Sequence, residues 1–252
     1  MRPANLFQVE MAVLAAGTRG LLTKLGLSLL LGLPFVLFAM PLRVRLAGLA
    51  AILTFTSFFG AAVGIVRRRT EGQLQRLALL PVRPSAVLLD LLLSFAVLDA
   101  AQLGLLLALF LAIHAQDPTA LGVVLAAGRM LQAVILLNAL GLALGLSLRS
   151  NPEVHLFGAL AAGVLLALSG QIPVPEKIRP LLEPIARWNP VSRFTVALAQ
   201  MTGGSAARRI PVGELAFLLL SGGAIVWRSI GPGWRISLST RRAREAMMHR
   251  KE

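Results

Sequence analysis

From Ala86 to Ile113 the chain runs apolar with only two charged residues, Asp90 and Asp99, along the way. A helix of about 20 apolar residues crosses about 30 Å of hydrocarbon, and in lipid each backbone polar group has to be satisfied within its own segment. Five further runs meet or approach that length: Leu21 to Met40, Leu46 to Val66, Leu121 to Leu148, Val154 to Ile172 and Val212 to Ile230. The last is short and interrupted by Gly222, Gly223 and Arg228. In chain order the third and fourth runs, Ala86 to Ile113 and Leu121 to Leu148, exceed the minimum and are expected to tilt or protrude. Hydrophobic residues make up 56% of the chain, charged residues 14%, and the mean hydropathy is +0.77. The expected fold is an all-α integral membrane protein, a single domain over residues 1–252 with six transmembrane helices.

An even number of spans puts both termini on one side, and short cytoplasmic loops retain Lys and Arg. With the termini inside, Arg67, Arg68, Arg69, Arg76, Arg83, Arg149 and the tail 231–252 are cytoplasmic, and the inner side holds about twice the basic residues of the outer side. Arg43 and Arg45, in the first outer turn, are the exception. The formal charge of +14 is thereby explained by topology and anionic headgroups rather than by nucleic acid, which calls for basic residues interleaved with stacking aromatics. Residues 1–20 carry Phe7, Met11 and Leu14 on one helical face, as in an interfacial helix on the inner leaflet. A loose start to the first span is the alternative.

Little here suggests catalysis. Cysteine is absent, and His114, His155 and His249 are scattered without metal-ligand spacing. Glu153 and His155 are close neighbours, but at a membrane edge such a pair reads as a headgroup contact. No Gly-x-x-x-x-Gly-Lys-Ser/Thr phosphate cradle occurs, so the chain is not expected to hydrolyse ATP by itself.

Between the second and third runs, residues 67–84 form a basic, partly amphipathic loop. Leu74, Leu77 and Ala78 recur at helical spacing from Glu71 to Leu80, Gln73, Gln75 and Arg76 supply a polar side, and Pro81 and Pro84 stop the helix. Taken alone, such a stripe rests on the membrane interface. The order Glu71, Gly72, Gln73, Leu74, Gln75, Leu77, Leu79, Leu80, Pro81 resembles the membrane subunits of ABC exporters of the ABC-2 type family. There the same loop carries an acidic residue, Gly-Thr-Leu-Glu, paired leucines and a proline. Gln73, Gln75 and Asp90 depart from the usual Thr, Glu and Lys. A second resemblance lies in the proline-rich outer loop 173–211, where Asn189 and Pro190 match the family's Asn-Pro. Phe194, Val196, Ala197 and Leu198 then supply a re-entrant or outer-leaflet helix.

The resemblance implies a coupling helix with Glu71, Gly72, Gln73, Leu74, Leu77 and Pro81 contacting a separate ATPase subunit, present in two copies. ATP and Mg would belong to that partner, with no cofactor bound by this chain. It also implies a second permease copy or a homologous permease. The apolar bundle with few deep polar groups leans towards a hydrophobic or amphiphilic cargo, and 22 arginines against 3 lysines with abundant Ala, Gly and Leu point to a bacterial inner membrane. A secondary carrier, or a scaffold anchoring cytoplasmic partners, remains the alternative.

Polar groups at depth usually face a cavity or a partner. Asp99 and Gln102 share a face of the third span, and Arg129 and Gln132 share a face of the fourth. Arg129 is expected about level with Gln102 and within reach of Asp99, as a helix tie or as a substrate contact. Asn138 is expected to hydrogen-bond between helices. Gly60 with Gly64 and Gly141 with Gly145 allow close helix approach.

Overall fold

A computed structural model describes residues 6–16, 18–78, 84–116, 119–172 and 174–203, and their regular structure is entirely helical. In order these are α1 (Leu6–Ala16), α2 (Thr18–Leu37), α3 (Leu42–Thr54), a π-helical segment (Phe55–Phe59), α4 (Gly60–Thr70), α5 (Gln73–Ala78), α6 (Pro84–His114), α7 (Ala120–Ser147), α8 (Asn151–Leu168), α9 (Arg179–Trp188) and α10 (Pro190–Thr202). The α3, π and α4 pieces join into one helix of 29 residues, Leu42–Thr70.

Four helices among the described residues are long and apolar enough to cross a membrane: Leu42–Thr70, Ser85–His114, Ala120–Ser147 and Asn151–Leu168. They correspond to the second to fifth expected spans. The first expected span falls on α2, whose apolar stretch is Leu25–Leu37 and which contains Pro34. The sixth, Val212 to Ile230, and the basic tail lie outside the described residues.

The helix starts follow capping chemistry. Thr119 accepts the Gly122 N–H at 3.1 Å at the head of α7. At the head of α8, the Ser150 hydroxyl receives the Glu153 N–H at 3.4 Å while the Glu153 carboxylate takes the Arg149 N–H at 2.8 Å, a reciprocal arrangement of the capping-box kind.

Two apolar clusters hold the bundle. The larger gathers Leu49, Leu53 and Phe58 with Phe110 and Leu137, and with Val191 and Leu198 of α10. The smaller, near the α5 end, gathers Ala62, Ile65, Val66, Leu91, Leu142 and Val154, with Leu6 and Leu74 packed onto it. The seam between the second span and α7 is nearly backbone on backbone. A methyl group added at Gly141 would overlap the Phe58 carbonyl oxygen, and one at Gly145 would overlap Ile65 and the Ala62 carbonyl. The other glycine pair does not work that way: Gly64 faces Phe95, and Gly60 faces open space.

At the end away from α5, α10 takes the inserted rather than the surface form of the two expected. Val191, Phe194, Leu198 and Met201 are buried against α3 and α7, so α10 is inserted into the bundle. The surface role falls to α9, which exposes Leu181, Ile185 and Trp188 beside Glu183 and Arg187. Arg45 is held by His114, with Nη1 to Nδ1 at 3.0 Å, and the His114 Nε2–H donates to the Val36 carbonyl at 2.6 Å. One of the two arginines that run against the topology rule is therefore engaged in joining α2, α3 and α6.

Candidate functional site

The second span does not stop at Val66. It continues through Arg67, Arg68 and Arg69 to Thr70, and each arginine is fastened differently. Arg67 pairs with Glu71 one turn on, Nε to Oε1 at 2.6 Å, on an exposed surface. Arg68 donates both terminal nitrogens to Glu10 of α1, at 2.6 and 2.7 Å, and lies 5.5 Å from the centre of the Phe95 ring. Arg69 donates to the Leu146 carbonyl at 2.7 Å and to the Leu148 carbonyl, covering the end of α7. Cations at a helix C-terminus interact favourably with its free carbonyls. The α5 end of the bundle is thus a junction of α1, α4 and α7.

The chain then reverses at Gly72, whose φ of +72° lies in the left-handed region that side chains avoid. Glu71 spans the turn, accepting from Arg67 on one oxygen and from Gln73 Nε2 on the other at 2.8 Å. The helix α5 starts two residues later than the expected Glu71, because Glu71 and Gly72 form the turn. Leu74 packs onto the smaller cluster and Leu77 is half-buried, whereas Glu71, Gln73, Gln75 and Arg76 are exposed. One side of α5 is therefore anchored to the bundle and the other is free. Pro81, with Leu79 and Leu80, lies outside the described residues.

At the opposite end Asn189 caps α10. Its Oδ1 accepts the Val191 N–H at 2.9 Å, and its Nδ2 donates to the Leu165 carbonyl of α8 at 3.0 Å. Pro190 occupies the first helical position, where the missing N–H costs nothing. The Asn-Pro pair is thus a helix start tied to a neighbouring span. Gln171 adds a second link, donating to the Thr195 hydroxyl at 2.9 Å.

Among the polar groups at depth, Asn138 makes the expected hydrogen bond between helices. Asp99, the midpoint of α6, accepts from Asn138 Nδ2 of α7 at 2.8 Å, and Gln102 accepts from the Ser28 hydroxyl of α2 at 2.7 Å. With Asp99 opposite Asn138 and Gly104 beside Met130, Arg129 comes level with Leu105 to Ala108. That is six to nine residues from Asp99, about 9–14 Å along the axis at about 1.5 Å per residue. Arg129 therefore comes closer in level to Gln102 than to Asp99. Asn138, about two turns further along α7, is the residue that hydrogen-bonds Asp99. Arg129 lies in the electrostatic field of Arg193 on α10, and Gln132 is half-buried beside it on α7.

Three contributors were not anticipated. Glu10 and Arg68 are too far apart in sequence for any local pattern to pair them, and the arginines read as a topology signal. Ser28 did leave a trace, as a lone hydroxyl in the middle of an apolar run. Among the described residues no cluster of His, Cys, Asp or Glu could hold a metal ion.

Among the described residues, an all-helical bundle with several membrane-length helices, a loop-borne helix at one end and α10 packed into the other defines a multi-pass membrane protein. The family model for the ABC-2 type transporter matches residues 15–201, about three-quarters of the chain, and the chain belongs to that family. Its members are the membrane subunits of ABC transporters rather than their ATPases, and they work with an ABC ATPase subunit. No curated protein and no solved structure matches the chain significantly.

Proposed function

We propose that this chain is the permease subunit of an ATP-driven exporter. It spans the membrane six times with both termini in the cytoplasm of a bacterial cell and pairs with a second permease, identical or homologous. Two copies of a separate ATPase bind its inner face. ATP and Mg are held by those partners. The cargo is hydrophobic or amphiphilic and moves outward.

The observation that carries this reading is the two-sidedness of α5. Its polar side, Glu71, Gln73, Gln75 and Arg76, is open to a partner. Its other side is anchored through Leu74, and its start is joined by the Gly72 turn to a helix that runs unbroken through the bundle. A push on α5 is therefore delivered to the second span instead of being lost in a loose loop. The Arg68–Glu10 and Arg69–Leu146 contacts spread the same push to α1 and α7.

The test is isolation of the full chain in mild detergent. A stoichiometric ATPase with nucleotide-binding motifs is the expected companion. In the reconstituted complex, Gln73→Asp and Arg76→Glu should leave ATP hydrolysis running while cargo movement falls. Unchanged transport in both variants would remove α5 from the coupling path. Absence of any ATPase would favour a carrier or a scaffold.

A further inference from the structure

At the end of the bundle away from α5, three helices meet at one imidazole. The His114 ring of α6 stands between a guanidinium and a peptide carbonyl: Nδ1 lies 3.0 Å from Arg45 Nη1 of α3, and Nε2 lies 2.6 Å from the Val36 oxygen of α2. A guanidinium can only donate and a carbonyl can only accept. Both contacts are hydrogen bonds only when Nε2 carries the proton and Nδ1 keeps its lone pair. The joint is therefore made by the neutral ring in one tautomer, with the Phe110 ring packed 5.1 Å away on the preceding turn.

A second N–H proton changes what the ring can do. Protonated imidazole has two donors and no acceptor, so the new N–H meets the Arg45 guanidinium, cation against cation. The bond to Val36 survives, because that carbonyl is among the last four of α2 and takes a charged donor well. A joint of three helices becomes a joint of two, and α3 is the helix released.

The other ionisable groups around the joint do not offset this. Among the described residues no carboxylate pairs with Arg45, whose Nε is buried without a hydrogen bond. Arg43 is exposed on the same turn of α3, and α2 brings no ionisable residue to this end. On α6 the nearest carboxylate is Asp99, about four turns away. The loop after His114 is held by the Gln116 N–H to the Met201 carbonyl of α10, at 3.2 Å. Arg129 of α7 and Arg193 of α10 each lie more than two turns in from the helix end beside that loop. Asp117 lies outside the described residues.

We propose that His114 is a proton-operated latch: neutral, it holds α3 to α6, and protonated, it frees the end of α3 while α2 stays in place. Because α10 is packed against α3, the seat of α10 loosens with it. The hold on α2 is doubled by the Ser28–Gln102 bond, 2.7 Å long, which has no ionisable member. That bond lies beside a recess of about 320 Å³ with Asp99 and Asn138 on its wall. Histidine is the side chain whose charge ordinarily changes between about pH 5 and 8. The proposal goes beyond the export reading and rests on it only for calling this end the outer one, so that acid outside the cell is the trigger. The latch needs neither ATP nor the ATPase, so its failure and a failure of coupling are separate results.

The chain has no cysteine, so pairs of spin labels can be placed in it directly. In the full chain in nanodiscs, labels at the exposed positions of Arg43→Cys and Ile113→Cys read the distance from α3 to α6. Labels at Leu37→Cys and Ile113→Cys read the distance from α2 to α6. Going from about pH 8 to about pH 5 should lengthen the first distance and leave the second unchanged. His114→Gln offers a donor and an acceptor at every pH, and Arg45→Gln removes the opposing charge. Each should make the first distance the same at both pH values, and Asp117→Asn should leave the response intact. A first distance that does not change with pH in the otherwise native chain, or a lengthening that persists in either glutamine variant, overturns the proposal. Loss of the response in Asp117→Asn would put the proton on that carboxylate, and would likewise overturn it.

Discussion

The guanidinium of Arg68 meets two carboxylate oxygens of Glu10 and the face of Phe95, with both charged side chains only 18% exposed. Such a fork-to-fork pair, partly shielded from water, is stronger than the ordinary surface ion pair. A double-mutant cycle with Glu10→Gln and Arg68→Gln should give a coupling of roughly 0.5–3 kcal/mol in detergent unfolding, and either change should expose α1 to protease. At Gly72 the constraint is in the backbone. A left-handed conformation costs most residues about 1–2 kcal/mol, and a β-branched one more, so Gly72→Val should loosen the turn that joins α4 to α5. On the proposed function, that variant should reduce export well beyond its effect on the unfolding temperature. A residue reading of the sequence reached Gly72 and Asn138 through their types. It could not reach the Glu10–Arg68 pair, since nothing local distinguishes one arginine of three.

At the scale of elements, α10 and the seam of α7 carry the clearest consequences. Asn189 serves as N-cap acceptor for α10 and donor to α8 with one side chain. Asn189→Ala should cost about 1–2 kcal/mol, while Asn189→Asp should keep the cap and lose only the tie, leaving an intermediate melting temperature. The glycine seam tolerates no side chain, because the opposing atoms at Gly141 include backbone. Gly141→Val should therefore destabilise by about 1–3 kcal/mol or more, visible as a lower unfolding temperature and poor recovery in mild detergent. Most helices were legible from apolar run length, and the second through fifth expected spans coincide with them. For α10 the sequence left two dispositions open. Its apolar residues fit a surface helix as well as an inserted one until α3 and α7 are placed around it.

At the scale of the whole molecule, the bundle has a polarity of construction. One end gathers arginines, α1 and the half-anchored α5, the other holds α9 and the inserted α10, and a polar recess lies between them. A force applied at α5 enters the long helix Leu42–Thr70, passes the π segment beside the recess, and reaches the larger apolar cluster that holds α10. If that helix transmits the stroke, a cysteine pair locking α5 to α7 should stop export under oxidising conditions and release it under reduction, with ATP hydrolysis continuing in both states. Equal export in the two states would show that the α5 end need not move.

By itself the sequence determined the membrane, the helices and the family. Hydrocarbon forbids unsatisfied backbone, so long apolar runs have one outcome, and the Glu71 to Pro81 and Asn189–Pro190 segments are local patterns whose residues do local work. The tertiary structure alone decided the partners. That Asn138 stands opposite Asp99 depends on the register of two antiparallel helices, α6 and α7. That register follows from how each packs against all its neighbours. Side chains distant in sequence find one another only through the sum of such packings, which no single stretch of the chain contains.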